Sequence, residues 1–498
     1  MKKLGLSLLL AVFVGSHAFA SGSDTDKRVT DLIERAGVPG LSLAIIKDGN
    51  LAYTNSYGVA DTKTQAPVQP DQVFQAASLS KPMFAYIVMR LVEKGELTLD
   101  QPLSEFLDYD RFTNKDYAAK ITARMVLSHQ PGLPNWGGTP LDFKFEPGTR
   151  FSYSGEGYYY LQSALEAKMG MSLEQIAVRE VFAPLGMEHS TYSINTRTDL
   201  NPVTPHDNGG MPVALSDVDM NAAASLYTNA SDYAKFMTAM LQEKGLKSSS
   251  FEELTASQVG VPIDVWSEDP QPELTGNLFW TLGWGREETT NGPVYWHWGD
   301  NGAFKAFVIM SMDKGDALAY FANAQNGLYM IDEAVSLAGF DGSVIANQLE
   351  YPQIDTPGYS EALAGAKAEA QGDYSEAVRL YRIAAEKSEV MAERVGENLE
   401  WLGTYAETLE NPKNLTADEA APYTGTYGPR VISYRDGVLY YRRGTGAERQ
   451  LYPIGDNSFI FNNLAGFRLE LPIGSNGLAE RAIGHYSDGS EDRFNRDQ

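Results

Sequence analysis

The chain has 498 residues, a formal charge of −25 and no cysteine. That acidity argues against nucleic acid or an anionic lipid surface as partner, and the missing thiols exclude a disulfide framework, thiol catalysis, cysteine metal sites and lipid attachment to an N-terminal cysteine. The length is too great for a single core and predicts two or three domains.

Lys2 and Lys3 precede an apolar run from Leu4 to Val14, and Ala18-Phe19-Ala20 supplies a small-x-small cleavage pattern. Residues 1–20 therefore read as a secretory signal peptide, with a mature chain from Ser21 and a periplasmic or secreted location expected. No later run approaches the roughly 20 apolar residues of a membrane span. Ser42 to Lys47, a turn at 48–50 and Leu51 to Tyr53 predict a β-hairpin.

Ala77-Ser78-Leu79-Ser80-Lys81-Pro82 follows, opening a helix with apolar positions at Phe84, Ile87, Val88, Leu91 and Val92. A serine three residues before a lysine shares a helix face with it, and a desolvated neutral amine is a base able to activate the hydroxyl. Unpaired N–H groups at the helix start favour an oxyanion near Ser78. The plain alternative is an N-cap serine. Ser311 and Lys314 repeat the spacing between two apolar runs, where a hairpin turn is expected instead.

Met125 to Pro134 ends a short helix in a turn, where His129 fits a capping role better than that of a catalytic base. Glycines bracket Tyr153-Ser154-Gly155. Tyr153 there is a proton relay if a lysine lowers its pKa, or equally a ring packed under a turn. Helices are expected from about Tyr159 to Met169, before Pro184-Leu185-Gly186-Met187, and from Asp232 to Gln242. Residues 187–220 read as loop, and Gly245 to Gly276 as a surface insertion bordering the site. His297-Trp298-Gly299 ends a strand, at an edge where backbone can approach a ligand, and a strand from Phe304 to Met310 follows. Trp136, Trp280, Trp284, Trp296 and Trp298 are expected mostly in the core, with one or two lining an apolar pocket.

Beyond Pro357 helical periodicity runs through Ala362 to Ala370, Tyr374 to Lys387 and Val390 to Leu409. One stretch is like a single tetratricopeptide unit, but such units need about three repeats to bury their faces, so a connector is expected. Short alternating runs between Val431 and Tyr486 then predict a small antiparallel barrel or sandwich.

The ordered set Ser78-x-x-Lys81, Tyr153-Ser154-Gly155 and His297-Trp298-Gly299 resembles the serine β-lactamase and penicillin-binding-protein superfamily, most nearly its class C and D-amino-acid peptidase/esterase branch. Val126 to Leu133, Glu146 to Thr149, Pro184 to Met187 and Trp298 to Gly302 resemble it too. The resemblance covers about residues 25–350 and implies an α/β (α+β) domain over 21–350, an antiparallel sheet flanked by helices with an all-helical region. A helical connector over 351–415 and a lipocalin-like β-barrel over 416–498 complete the expected architecture. It also implies that Ser78 is acylated, that Lys81 and Tyr153 manage the proton, and that the substrate is flanked by His297 and Gly299. The backbone N–H groups of Ser78 and Asp300 would form the oxyanion hole. No metal or cofactor is implied.

Two departures bear on specificity. Gly155 stands where many relatives have a substrate-contacting asparagine, and His297 replaces a lysine that grips a substrate carboxylate. The expected protein is a hydrolase acting through an acyl-enzyme on a small-molecule or peptide substrate, a D-residue peptide or small ester. Its rivals are a β-lactamase, a cell-wall peptidase, and a penicillin-binding sensor or idle binding protein. Oligomeric state is left open.

Overall fold

A computed structural model describes residues 22–215, 218–266, 273–462, 464–487 and 489–497. The expected signal peptide lies outside them. Among the described residues no helix is long and apolar enough to cross a membrane.

Eleven strands build the first part of the chain: β1 Gly40–Lys47, β2 Asn50–Asp61, β3 Ala66–Pro67, β4 Phe74–Ala77, β5 Leu226–Thr228, β6 Val259–Pro262, β7 Leu274–Trp280, β8 Gly285–Thr289, β9 Gly292–Asp300, β10 Lys305–Ser311 and β11 Asp316–Ala322. Nine form one sheet in the order β3-β2-β1-β11-β10-β9-β8-β7-β6, while β4 and β5 pair separately. The expected hairpin is β1–β2, closing at Lys47 opposite Asn50. Ser311 to Asp316 is the β10–β11 turn, so Ser311 belongs to a hairpin as its flanking apolar runs imply.

Both faces of this sheet are covered, and its central strands are therefore continuously apolar rather than alternating. Ala306, Val308 and Met310 face one core with the helix Ser80–Glu93, while Phe307 and Ile309 face another with the helices Gly22–Ala36 and Ile331–Ser336. From Ser80 to Met89 every residue of the Ser80–Glu93 helix is buried. A helix apolar on all sides belongs at the centre of a domain, and this one carries the site there.

The Gly245–Gly276 stretch is more than a surface insertion. It contains a helix, Ser248–Thr255, and the edge strand β6, because Phe251 and Leu254 bury into the core and Val259 and Gly260 pair with β7.

Helices Tyr359–Ala370, Tyr374–Lys387 and Glu389–Glu410 follow, the first anchored by Tyr359 Oη donating to Ala36 O at 2.8 Å. Eight antiparallel strands between Gly425 and Asn495 then curl into a nearly closed barrel, two more than the alternating runs predict. Asp497 N donates to Thr426 O at 2.8 Å across the remaining gap. Arg468 fastens barrel to helices, its guanidinium 4.3 Å from the Trp401 ring centre and donating to Trp401 O at 2.7 Å.

Candidate active site

Ser78 sits on a sharp elbow between β4 and the Ser80–Glu93 helix. Ala77, just before it, is held at φ 49°, a left-handed conformation that costs an alanine on the order of 1 kcal/mol. The elbow is pinned from several sides. Ser80 Oγ donates to Ala77 O and accepts from Leu226 N, and Tyr233 Oη and Tyr192 Oη donate to Leu79 O and Ser80 O at 3.1 and 2.8 Å.

Lys81 is 1% exposed, with Nζ 3.0 Å from Ser78 Oγ and 2.9 Å from Ala223 O, to which it donates. Two tyrosine rings, Tyr153 and Tyr158, shield it at 4.7 and 5.5 Å. Burial drives its pKa well below the ordinary lysine value, and no carboxylate opposes the shift. A neutral amine has a lone pair with which to accept the Ser78 proton.

Tyr153 lies beside this pair, and of the two readings its sequence leaves open, the structure does not give the phenol a pKa lowered by lysine. Burial raises its pKa, and hydrogen bonding with the Ser78 hydroxyl offsets only part of the rise. A neutral lysine supplies no charge to stabilise a phenolate. Tyr153 Oη is therefore a protonated group available to hand on a proton.

The β9 strand forms the opposite wall. Its pairing with β8 ends at Trp296, so residues 297–300 have one open edge while β10 occupies the other. Asn301 N donates to Phe304 O, and the alternation of an antiparallel ladder then turns the Asp300 amide away from β10 toward that open edge. Gly299 lets the strand come this close: a Cβ there would meet Ala76 O at 2.3 Å. The backbone amides of Ser78 and Asp300 thus border one space.

His297 is fully buried and does not line the cavity. Its Nδ1–H donates to Trp298 O at 2.7 Å, leaving Nε2 an unpartnered acceptor, and burial lowers its pKa to about 3. It is a neutral neighbour of Lys81 rather than a group at the substrate surface. His129, also fully buried, accepts from Ser154 N through Nδ1 at 3.0 Å. Its role is structural, as expected, but it holds the Tyr153 turn by accepting from Ser154 N instead of capping the carbonyls of the preceding helix.

The cavity over Ser78 measures about 440 Å³ and is walled by Trp136, Trp266, Trp298, Leu349 and Tyr351. Two carboxylates, Asp300 and Glu350, border it, and among the described residues its lining includes no lysine, arginine or histidine. Lys305, the nearest candidate cation, is 6% exposed and already paired with the Asp300 carboxylate, which also accepts from Tyr351 Oη. A larger recess of about 650 Å³ between the connector helices and the barrel, beside Trp401 and Tyr486, is remote from this chemistry.

Sequence reading singles out Trp136 only as a member of an aromatic cluster and Trp298 both there and in the His297-Trp298-Gly299 triplet, and it misses Trp266, Tyr351 and Glu350. Those three come from the 245–276 stretch and from beyond β11, and no motif marks them.

The family model described as Beta-lactamase matches residues 25–337. Penicillin-binding protein 4 of Amycolatopsis lactamdurans is 26% identical over 322 residues, 57% of this chain and 81% of that protein. Esterase EstB of Burkholderia gladioli is 28% identical over 203 residues, 35% of this chain and 52% of that one. In fold, the chain is similar to the octameric penicillin-binding protein homologue from Pyrococcus abyssi, with a TM-score of 0.53 and 18% identity across 95% of this chain and 100% of that one.

Replacing Lys81 with methionine should abolish turnover yet raise the melting temperature by a few degrees, because a buried amine is exchanged for an apolar side chain of similar length. The sign follows from protonation. In the unfolded chain Lys81 is charged up to its ordinary pKa, whereas the folded value is lower, so the native amine destabilises the fold most at low pH. The gain in the variant should shrink as pH rises toward the ordinary lysine value; thermal denaturation between neutral and strongly alkaline pH reads this, and a gain that grows with pH would show Lys81 to be charged in the fold.

A separate pair of variants tests the nucleophile. Ser78→Ala should remove hydrolysis and the covalent adduct seen by mass spectrometry, while Ser311→Ala, in the β10–β11 turn, should retain both; an adduct mapping elsewhere would displace Ser78.

Proposed function

Because the chain belongs to the beta-lactamase family of serine hydrolases, we propose that it cleaves esters or amides without a carboxylate beside the reacting carbonyl, by an acyl-enzyme on Ser78. The observation that carries this reading is the cavity lining: among the described residues it holds two carboxylates and no lysine, arginine or histidine, and Lys305 is paired with Asp300. Small neutral esters fit it. So does a D-residue peptide that presents a free ammonium group to Glu350, whereas a penicillin or a peptide ending in a free carboxylate meets repulsion. The order of charged, apolar and small residues over 1–20 supports export to the periplasm or medium.

In the proposed reaction Ser78 Oγ attacks the carbonyl carbon as its proton passes to Lys81 Nζ. The oxygen that gains charge is held by the amides of Ser78 and Asp300. As the bond to the leaving group breaks, Lys81 returns the proton, with Tyr153 Oη as the intermediate donor, and an alcohol or amine departs. Water then repeats the sequence on the acyl group, freeing a carboxylic acid and Ser78.

A matched pair differing only in a free carboxylate or its methyl ester tests the reading. The ester form should have a kcat/KM higher by about tenfold at low ionic strength, the gap closing as salt screens the carboxylates. Preference for the free acid would overturn the proposal.

A further inference from the structure

Gly155 and Trp136 are a matched pair. An added Cβ on Gly155 would lie 2.8 Å from both Cζ2 and Cη2 of the Trp136 indole and 2.9 Å from Asn135 O. The indole therefore occupies the space in which any side chain at position 155 would begin. It is 53% exposed and forms part of the cavity wall above Ser78.

The loop that presents this ring is built rather than loose. Asn135 O accepts from Gly155 N and Glu156 N, both at 3.0 Å, and Asn135 Oδ1 accepts from Gly155 N. Ser154 Oγ donates to Pro134 O at 2.8 Å. From below, Arg111 grips the Glu156 carboxylate through two hydrogen bonds of 2.8 and 2.9 Å and also donates to Gly137 O and Gly138 O. Glu156 closes the clamp by accepting from Gly137 N at 3.1 Å. A large apolar ring left half in water costs solubility and gains nothing for the fold, yet this one is held in place on both flanks. Trp266 is likewise 40% exposed on the same cavity, fixed by Nε1 donating to Gln348 O at 2.9 Å and packed edge-on against Trp298 at 5.2 Å.

Resting on the acyl-enzyme reading above, we infer that this aromatic wall selects substrates with a flat aromatic group next to the scissile ester or amide bond, and that Trp136, positioned by Gly155 and the Arg111–Glu156 clamp, is the specificity-determining residue. Two half-exposed indoles line a cavity of about 440 Å³, large enough for such a group, and flat rings gain both buried apolar area and ring–ring contact there.

Methyl acetate, methyl phenylacetate and benzyl acetate, assayed by acid release on the full chain, place the aromatic ring on neither side, the acyl side or the alcohol side of the bond. One aryl ester should exceed methyl acetate in kcat/KM by about tenfold, and Trp136→Ala should cut that ratio by about fivefold. Gly155→Ala keeps the indole but forces it aside, so it should reduce the same ratio. Reading a ratio separates selectivity from general loss of activity. Binding supplies the arm that does not depend on turnover: in the Ser78→Ala protein, methyl 4-fluorophenylacetate followed by fluorine NMR should bind about fivefold more weakly once Trp136→Ala is added. An affinity and a ratio that both stay within about twofold would overturn the aromatic site. Failure of every ester, and of the matching amide phenylacetamide, to acylate Ser78 would remove the hydrolase reading, and the NMR titration would still decide whether the aromatic wall binds.

Discussion

A lysine amine buried away from solvent is the condition on which the rest of this site depends. Lys81 can serve as a base only while it stays neutral, and it stays neutral because Tyr153, Tyr158 and the neutral His297 surround it with no carboxylate in reach. Each neighbour's chemistry follows from that. A lysine at position 297 would add a cation beside Lys81, whereas an imidazole whose Nδ1–H is committed to Trp298 O adds none. The uncharged amine in turn leaves Tyr153 a protonated phenol.

Geometry is bought at the Ser78 elbow by backbone strain at Ala77, and the surrounding core over-determines it. β4 is buried at every residue, Gly299 allows β9 to press against Ala76, and two tyrosine hydroxyls hold the first carbonyls of the helix. A site on a rigid elbow at the centre of a domain keeps nucleophile, base and amide donors in register without waiting for a substrate to order them.

Local chemistry made much of this legible. The Ser78 to Lys81 spacing, the β1–β2 turn, the three connector helices and the two-residue period of the barrel are written within short windows, where turn residues and apolar periodicity act directly. Ser311 was separable from Ser78 for the same reason, since apolar runs flanked it on both sides. What stayed hidden depends on contacts between distant segments. That Trp136 fills the space beside Gly155 needs two loops about twenty residues apart to meet, and the carboxylate lining needs Asp300 and Glu350 brought together by the sheet and the following helix. The pKa of Tyr153 also turned on whether its lysine neighbour is charged, and burial alone settles that.

The segment leaving the catalytic sheet ties the appended helices to the chemistry. Tyr351 donates to the Asp300 carboxylate, Asp300 pairs with Lys305, and the backbone of Asp300 is an amide donor at the open edge of β9. Arg394 of the third connector helix lies 5.4 Å from the ring centre of Tyr329, and that ring packs on Tyr351 at 6.1 Å. A continuous set of packed rings and hydrogen bonds therefore runs from the connector to the strand that borders the nucleophile. The same pairings withhold Lys305 from any substrate carboxylate. Fixing the strand end and pairing the lysine are two consequences of one ion pair, so on the proposed reading the contact that aligns the Asp300 amide also sets the charge of the substrate.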